Sequence, residues 1–219
     1  MIEFSMLVVI SFIVGYFAGC IQVPYFMLKA VKGVDIREHG TGNAGASNVT
    51  VLLGWKHGFL AACGDILKAF IPAVAFKLAY AQTFQEPQLN TLIIMAGSGA
   101  IVGHIFPFFM SFNGGKGIAC YMGLLLAIDI SFGMICIVSL ILCTYITDFV
   151  AVGSILLYII IPILFAYSSP PFDFLQTDDS GMVFLCLTGA IGIIKHFINI
   201  HRIVTKQEKG LSDVRMGKS

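Results

Sequence analysis

Long uncharged apolar stretches dominate this sequence and limit its fold more than any other feature. The first of them, Ser5–Leu28, contains no charged residue, and about 20 such residues cross the hydrocarbon core of a bilayer as a helix. Apolar residues make up 58% of the 219-residue chain and charged residues 11%, with a mean hydropathy of +0.91. Soluble domains have roughly 45–50% apolar and about 25% charged residues. The chain is therefore predicted to be an all-α, polytopic integral membrane protein.

Five further apolar runs follow the first one. They extend over His57–Ala79, Thr91–Phe112, Ile118–Thr147, Phe149–Tyr167 and Gly181–Arg202. The run Ile118–Thr147 has about 30 residues, so it forms either one long tilted helix or two short helices on either side of Asp129. The second run carries Asp65 and Lys68, whose spacing of three places them on one face of a helix. An intramembrane acid and base at this spacing fit a neutralising ion pair as well as a catalytic role.

The distribution of lysine and arginine decides how often the chain crosses the membrane. Basic residues lie before the second run, after the third run and at the C-terminus, at Lys29, Lys32, Arg37, Lys56, Lys116, Arg202, Lys206, Lys209, Arg215 and Lys218. The positive-inside rule places all three groups in the cytoplasm, which requires Ile118–Thr147 to cross twice. The prediction is one transmembrane domain over residues 1–219, with about seven spans, an outside N-terminus and an acidic outer loop at Ser168–Ser180.

Three polar segments interrupt the apolar pattern. The first polar segment, Gly40–Thr50, alternates glycine with short hydroxyl and amide residues, namely Thr41, Gly42, Asn43, Gly45, Ser47 and Asn48. A ligand can approach such a backbone closely while the side chains donate hydrogen bonds to an oxyanion, such as a phosphate or a carboxylate. A tight turn, or close helix packing at small residues, explains the pattern about equally well.

The second polar segment, Gly103–Gly117, includes His104 and ends in Gly114-Gly115-Lys116-Gly117. Free backbone N–H groups and a lysine at the start of a helix are typical of a phosphate-binding loop. The segment is not a Walker A loop, because the required spacing is absent and Gly117 stands where a magnesium-binding hydroxyl is needed. A basic turn between two spans is the alternative.

The third polar segment, Lys195–Arg202, lies at the end of the last apolar run. Within it, His196, Asn199 and Arg202 follow one another at intervals of three residues, so they share one face of a helix. Such a face could bind a phosphate or orient a hydroxyl group. An interfacial anchor of basic residues is the alternative interpretation.

In this order, the three polar segments resemble the motifs of the bacterial acyl-phosphate:glycerol-3-phosphate acyltransferases, the PlsY family, over nearly the whole chain. The family motif Gly-Ser-Gly-Asn-x-Gly-Ala-Thr-Asn resembles Gly40–Asn48. The motif Gly-His-x-Phe-Pro with a following Gly-Gly-Lys-Gly resembles Gly103–Gly117. The motif His-x-x-Asn-Ile-x-Arg, with a Glu beyond it, resembles His196–Arg202 and Glu208. Asp65 and Lys68 also have counterparts in the family.

The resemblance implies a transfer of a fatty acyl group from acyl phosphate to the 1-hydroxyl of glycerol 3-phosphate, which gives lysophosphatidic acid for phospholipid synthesis. It implies catalytic roles for His196, Asn199, Thr41 and Lys116, with the identity of the general base left open. The substrate-binding residues would be Gly42, Asn43, Gly45, Ser47, Asn48, His104, Gly114, Gly115, Gly117 and Arg202, and the structural ones Asp65, Lys68 and Glu208. The expected partners are the two phosphorylated substrates and membrane lipids, with no metal or other cofactor. No nucleic-acid partner is expected either, because the net charge is only +1 and nucleic-acid binding usually requires a basic face. The expected location is the bacterial plasma membrane, with several spans and the active site facing the cytoplasm.

The chain departs from the family pattern at four positions that affect the anion site. Val51 stands where the first motif normally has an arginine, and Phe197 stands where an arginine often follows the motif histidine. Asp148 and Ala151 take the places of a basic residue and a serine. These departures leave two alternatives open: a divergent or inactive paralogue with another acceptor, and, from a different class, a transporter for organic phosphates.

Overall fold

In a computed structural model, which describes residues 3–169 and 173–215, the chain is helical, with no strand among these residues. The α-helices are α1 (Phe4–Gly19), α2 (Val23–Lys32), α3 (Ala46–Leu53), α4 (Trp55–Tyr80), α5 (Gln88–Ile105), α6 (Ile118–Ile128), α7 (Ile130–Thr147), α8 (Val150–Ala166), α9 (Asp179–Val204) and α10 (Leu211–Arg215). Short 3-10 turns lie at Ile36–Glu38, Phe108–Met110 and Asp173–Leu175. Residues 170–172 of the predicted outer loop, and Lys218 of the basic C-terminus, lie outside the described residues. The all-α prediction is confirmed.

Within the described residues, five stretches are long and apolar enough to cross a membrane. They are α1 with α2 (Phe4–Lys32), α4, α5 extended to Met110, α7 and α9. Helices α6 and α8 are apolar but shorter. The number of spans and the outside N-terminus therefore stay predictions.

The predicted first span is broken near its C-terminal end. Helix α1 ends at Gly19 and α2 begins at Val23. Pro24 lies in the first turn of α2, where a backbone N–H would make no hydrogen bond within the helix, so its absence costs nothing. Inside a continuous helix, the proline ring would clash with the carbonyl four residues earlier. The side chain of Gln22 fills the break and donates to the carbonyls of Gly19 (3.2 Å) and His104 (3.1 Å).

The run Ile118–Thr147 forms two helices, as the charge distribution predicted. Helix α6 ends at Ile128, and the side chain of Asp129 caps α7 by accepting a hydrogen bond from the N–H of Phe132 at 2.7 Å. The 11 residues of α6 are about 16 Å long, well below the thickness of a bilayer core. Most of its side chains are buried among the other helices.

Helix α5 is the most buried long helix and forms the centre of the described bundle. Its contact with α1 is made by small residues: Gly15 and Gly19 of α1 lie against the carbonyls of Ala96 and Ala100. Conversely, Gly99 and Gly103 of α5 lie against the backbone of α1. Spacing of small residues by four allows close helix approach in membranes, and it fixes the end of α5, from which the second polar segment begins.

Candidate functional site

The loop Gly114–Gly117 folds back onto the end of α5. The N–H groups of Gly114 and Gly115 donate to the carbonyls of Ile105 and His104, each at 3.1 Å. These two amides are therefore occupied. Between Gly114 and the first turn of α6, all within the described residues, the amides of Lys116 and Gly117 and those of that first turn have no backbone partner. Gly117 has a φ of 87°, which a glycine adopts readily, and this turn directs the loop into α6.

The side chain of Lys116 points from this loop to α9. Its ammonium donates to Oδ1 of Asn199 at 2.5 Å, and its carbonyl accepts a hydrogen bond from the hydroxyl of Tyr158 on α8 at 3.1 Å. Burial lowers the pKa of Lys116 to about 8, with the nearby Arg202 acting in the same direction and Glu208 opposing it. A loop and two helices thus hold one cation at a partly buried position.

Asn199 connects this cation to the C-terminal segment. Its amide nitrogen donates to Oε1 of Glu208 at 2.5 Å while its oxygen accepts from Lys116. Arg202 is half-buried on the same helix, and its side chain has no hydrogen-bond partner within residues 3–169 and 173–215. Lys116 therefore has one cation, Arg202, and one carboxylate, Glu208, as charged neighbours, an arrangement that favours a bound anion.

His196 lies one turn before Asn199 on α9 and is only 3% exposed. Its Nδ1 is 2.7 Å from the carbonyl of Gly192. A carbonyl only accepts, so Nδ1 carries the proton of this hydrogen bond, and in the neutral ring Nε2 is left as an acceptor. The ring packs against Tyr158, with 6.1 Å between the ring centroids.

Tyr158 was not predicted as a site residue, although it contacts both Lys116 and His196. It lies in the uncharged apolar run of α8, where a tyrosine is ordinarily a core residue. A signal was present in the spacing, since Ala151, Ser154 and Tyr158 recur at intervals of three and four and so share one buried face of α8.

The first polar segment is folded by Asn48. This side chain is fully buried, accepts from the N–H of Thr41 (2.9 Å) and donates to the carbonyls of Ile36 (3.1 Å) and His39 (2.9 Å). Asn48 thus closes the loop on itself. The carbonyl of Ala44 lies against Gly115, 3.0 Å from the position of an added Cβ, so the first and second polar segments are in contact.

The side chains of Thr41, Asn43 and Ser47 make no hydrogen bond within the described ranges of the chain. Thr41 and Asn43 are half-buried and Ser47 is exposed, at the start of α3. Gly42 is exposed and Gly45 buried beside the amide of Asn43. These side chains are available to a ligand, in contrast to that of Asn48.

His104, Lys68 and Asp65 form a buried network behind the loop. The Lys68 ammonium lies 2.9 Å from Oδ1 of Asp65 and 2.8 Å from Nδ1 of His104, and donates to the carbonyl of Ile21 at 2.8 Å. The ion pair expected from the spacing of three is present. Nε2 of His104 occupies the space that a side chain on Gly115 would need, so the network supports the loop from within the bundle.

The residues that depart from the family pattern differ in how far their side chains are buried in the protein. Val51 is half-buried on α3, Ala151 is buried on α8, and Phe197 is 57% exposed on α9. Arg37 does not replace the guanidinium missing at Val51, because it pairs with Asp35 (2.7 Å) and donates to the carbonyl of Met110 (2.8 Å). Among the residues that the structure describes, no group of three or more histidine, cysteine or acidic side chains could hold a metal ion.

Sequence comparison with known proteins finds glycerol-3-phosphate acyltransferases. The family model of glycerol-3-phosphate acyltransferase matches residues 9–206. Glycerol-3-phosphate acyltransferase 1 of Oceanobacillus iheyensis is 38% identical over 210 residues, 94% of this chain and 96% of that protein. The glycerol-3-phosphate acyltransferase of Chlorobaculum tepidum is 37% identical over 165 residues, 74% of this chain and 71% of that protein.

Solved structures agree with the sequence comparison. The crystal structure of PlsY, an integral membrane glycerol 3-phosphate acyltransferase, in its glycerol 3-phosphate form has a TM-score of 0.74, 27% identity and 97% and 98% coverage of the two chains. Its lysophosphatidic acid form has a TM-score of 0.72 and 29% identity, with coverage of 93% and 94%. The family model and the full-length relatives show that the chain belongs to the glycerol-3-phosphate acyltransferase family, and its fold is that of the integral membrane enzyme PlsY.

Proposed function

We propose that this chain transfers a fatty acyl group from acyl phosphate to the 1-hydroxyl of glycerol 3-phosphate. The hydroxyl oxygen attacks the acyl carbonyl carbon, the bond from that carbon to the phosphate oxygen breaks, and the hydroxyl proton leaves with the released phosphate, so the products are lysophosphatidic acid and inorganic phosphate. The arrangement of Lys116, Asn199 and Arg202 carries this proposal, because it provides a partly buried anion site between a loop and the last long helix.

The phosphate of glycerol 3-phosphate is bound by Lys116 and Arg202. Lys116 has the cation of Arg202 and the carboxylate of Glu208 as charged neighbours, so a phosphate dianion relieves the repulsion between the two cations. The free amides of Lys116 and Gly117 and the first turn of α6 add donors at a helix N-terminus. A mixed anhydride has a good leaving group, so binding and orienting two phosphates accounts for most of the catalysis.

His196 and Asn199 act on the reacting groups. The Nε2 atom of His196 is an acceptor when Nδ1 donates to Gly192, so it orients the attacking hydroxyl through a hydrogen bond. The side chains of Thr41, Asn43 and Ser47, which make no hydrogen bond to the described residues, line the neighbouring part of the site and bind the acyl phosphate. Asn48 acts through the loop that it folds.

The acyl donor reaches the site from the bilayer. The described residues include exposed large apolar side chains such as Phe17, Phe26 and Phe109, and such a surface suits lipid tails. The lysine and arginine distribution supports a site on the cytoplasmic side, where glycerol 3-phosphate is soluble. The resemblance to bacterial acyltransferases supports a bacterial plasma membrane, in which the product remains.

The test is a direct assay. Purified protein in detergent is incubated with palmitoyl phosphate and radiolabelled glycerol 3-phosphate, and labelled lysophosphatidic acid and released phosphate are measured together. Equal amounts of both products support the proposal. Lys116→Ala protein, prepared in the same way, controls for a contaminating acyltransferase, and palmitoyl-coenzyme A in place of palmitoyl phosphate tests the choice of donor.

A folded protein without product from glycerol 3-phosphate would contradict the proposal and favour the divergent paralogue suggested by Val51 and Ala151. Val51→Arg then separates two cases. Activity that appears in this variant indicates a decayed site, whereas continued inactivity indicates a site built for another acceptor.

A further inference from the structure

The C-terminal segment Glu208–Ser212 returns to the connection between α7 and α8 and contacts Asp148. The carbonyl of Asp148 accepts from the N–H of Leu211 at 2.8 Å. Its carboxylate accepts from the N–H of Ser212 at 2.8 Å and from the hydroxyl of Ser212 at 2.6 Å. One acidic residue thus makes three hydrogen bonds to a segment more than sixty residues later in the chain.

The backbone around Asp148 presents the carboxylate to this segment. Asp148 ends α7 with a φ of 70°, a left-handed conformation that aspartate tolerates better than most residues. Gly210 is buried directly beneath it, and the carboxylate occupies the space that a Gly210 side chain would fill. A glycine is therefore needed where the segment passes Asp148.

The same segment carries Glu208, which accepts the hydrogen bond of Asn199. Asn199 in turn accepts from Lys116. The other end of the segment is fixed on α9, where the N–H groups of Gln207 and Glu208 donate to the carbonyl of Arg202 at 2.7 and 3.1 Å. Glu208 thus lies between two attachments, the end of α9 and Asp148.

We propose that Asp148 is a positioning residue that anchors the segment Glu208–Ser212 and thereby holds Glu208 and Asn199 in place against Lys116. This inference rests on the proposed function for its effect on turnover. Asp148 stands where the family usually has a basic residue. The carboxylate of Asp148 accepts hydrogen bonds from the C-terminal segment. A basic side chain at this position could not accept them, because a cation has no acceptor.

The experiment compares Asp148→Ala, Asp148→Asn and a chain that ends at Lys209, each alone, and Asp148→Ala in the shortened chain. Asp148→Ala is expected to lower kcat/KM for glycerol 3-phosphate on the order of tenfold, because hydrogen bonds to a charged group are lost. Asp148→Asn retains an oxygen that accepts from Ser212 and should lose less. The shortened chain should show the loss of Asp148→Ala by itself, and the substitution should add nothing further in that background.

Tryptic cleavage after Lys206 and Lys209, followed by mass spectrometry, gives a measurement that does not depend on activity. Asp148→Ala should be cut several-fold faster than the unchanged protein if the segment is released. Asp129→Ala is the matched control, since Asp129 caps the opposite end of α7. It weakens the same helix and should leave cleavage of the C-terminal segment unchanged.

Unchanged cleavage and unchanged kinetics in Asp148→Ala would overturn the anchoring role. Losses that add in the combined variant would also overturn it, because Asp148 would then act by another route. If the protein without any substitution shows no acyl transfer, the proposed function is contradicted instead. The comparison of tryptic cleavage rates still decides whether Asp148 holds the segment.

Discussion

The ammonium of Lys116 and the amide oxygen of Asn199 are 2.5 Å apart, joining the loop after α5 to the last long helix. Neither residue lies near the other in sequence, and each has a second attachment: the Lys116 carbonyl to Tyr158 and the Asn199 amide to Glu208. The cation is therefore preorganised before any substrate binds. Preorganised charge is the main way in which a site of this kind can stabilise a reacting anion.

Replacing Lys116 by alanine should raise the KM for glycerol 3-phosphate roughly 10- to 100-fold, the effect of losing a charged hydrogen bond of about 1.5–3 kcal/mol. The measurement is initial rate against glycerol 3-phosphate concentration at saturating palmitoyl phosphate. Lys56→Ala is the control, because Lys56 is exposed at the start of α4. Equal KM values in the two variants would show that Lys116 does not bind the substrate and that its charge bears only on the membrane topology.

The affinity for glycerol 3-phosphate should fall as the pH rises above about 8. Burial disfavours the charged form of Lys116 and lowers its pKa to about 8, so the ammonium is present below this pH and is lost above it. The substrate phosphate loses its second proton near pH 6, so it is almost entirely the dianion above about pH 7. KM measured between pH 7 and 9.5 should therefore be flat at first and then rise.

Lys116→Arg gives the control for this pH profile. A guanidinium stays charged throughout the range, so the alkaline rise in KM should disappear in this variant, even if its KM at neutral pH is higher. The same alkaline rise in both proteins would show that another group titrates.

Tyr158→Phe should raise the KM for glycerol 3-phosphate several-fold. The substitution deletes the hydroxyl that donates to the carbonyl of Lys116 at 3.1 Å but keeps the ring packed against His196 and Tyr121. A neutral hydrogen bond contributes about 0.5–1.5 kcal/mol, up to roughly tenfold in binding.

Tyr121→Phe is the matched control for Tyr158→Phe. The ring centroids of Tyr121 and Tyr158 are 4.8 Å apart. The buried hydroxyl of Tyr121, however, has no hydrogen-bond partner in the described part of the chain. Its removal should leave KM unchanged and keep or slightly raise the thermal stability. If both variants change KM alike, ring packing and not the bond to Lys116 determines the effect.

Gly115→Ala should impair substrate binding through sterics. A Cβ at this position collides with Nε2 of His104 and lies 3.0 Å from the carbonyl of Ala44, so the loop and the first polar segment must move apart. KM should rise by an order of magnitude, about 1.4 kcal/mol, a larger effect than the accompanying loss of stability measured as Tm. Gly33→Ala is the contrast: nothing lies within 4 Å of its Cβ, but its φ is 72°, so stability should fall while KM stays the same.

The sequence predicted much of the fold because bilayer thickness and charge placement act on whole runs of residues. The positive-inside rule, applied to Lys116 and the C-terminal basic residues, predicts two crossings around Asp129; the structure has two helices there, and the number of crossings stays a prediction. The break between α1 and α2 was not predicted, although Pro24 was a visible signal. The hydrophobic length of that run gave no sign of it, since a bent helix buries the same residues.

The individual site residues were harder to assign than the fold. An asparagine in a glycine-rich segment has the same donors and acceptors for a ligand as for its own backbone. Sequence alone therefore could not distinguish Asn48, which folds its loop, from Asn43, whose side chain makes no hydrogen bond to the described residues. The contact between Asp148 and Ser212 depends on long-range geometry, and the composition of neither segment indicates it.

Lys68→Met should destabilise the protein by about 3–5 kcal/mol, because it leaves the fully buried carboxylate of Asp65 and one nitrogen of His104 without their cation. The measurement is thermal unfolding in detergent, with the bound fraction of glycerol 3-phosphate followed in parallel. Asp65→Leu combined with Lys68→Met removes both charges and should recover most of the lost stability. Recovery of stability together with acyl transfer would identify the pair as a structural support behind the loop. Recovered stability with no acyl transfer would instead show that the charges themselves are needed for the reaction, since the fold and the anion site would both be intact.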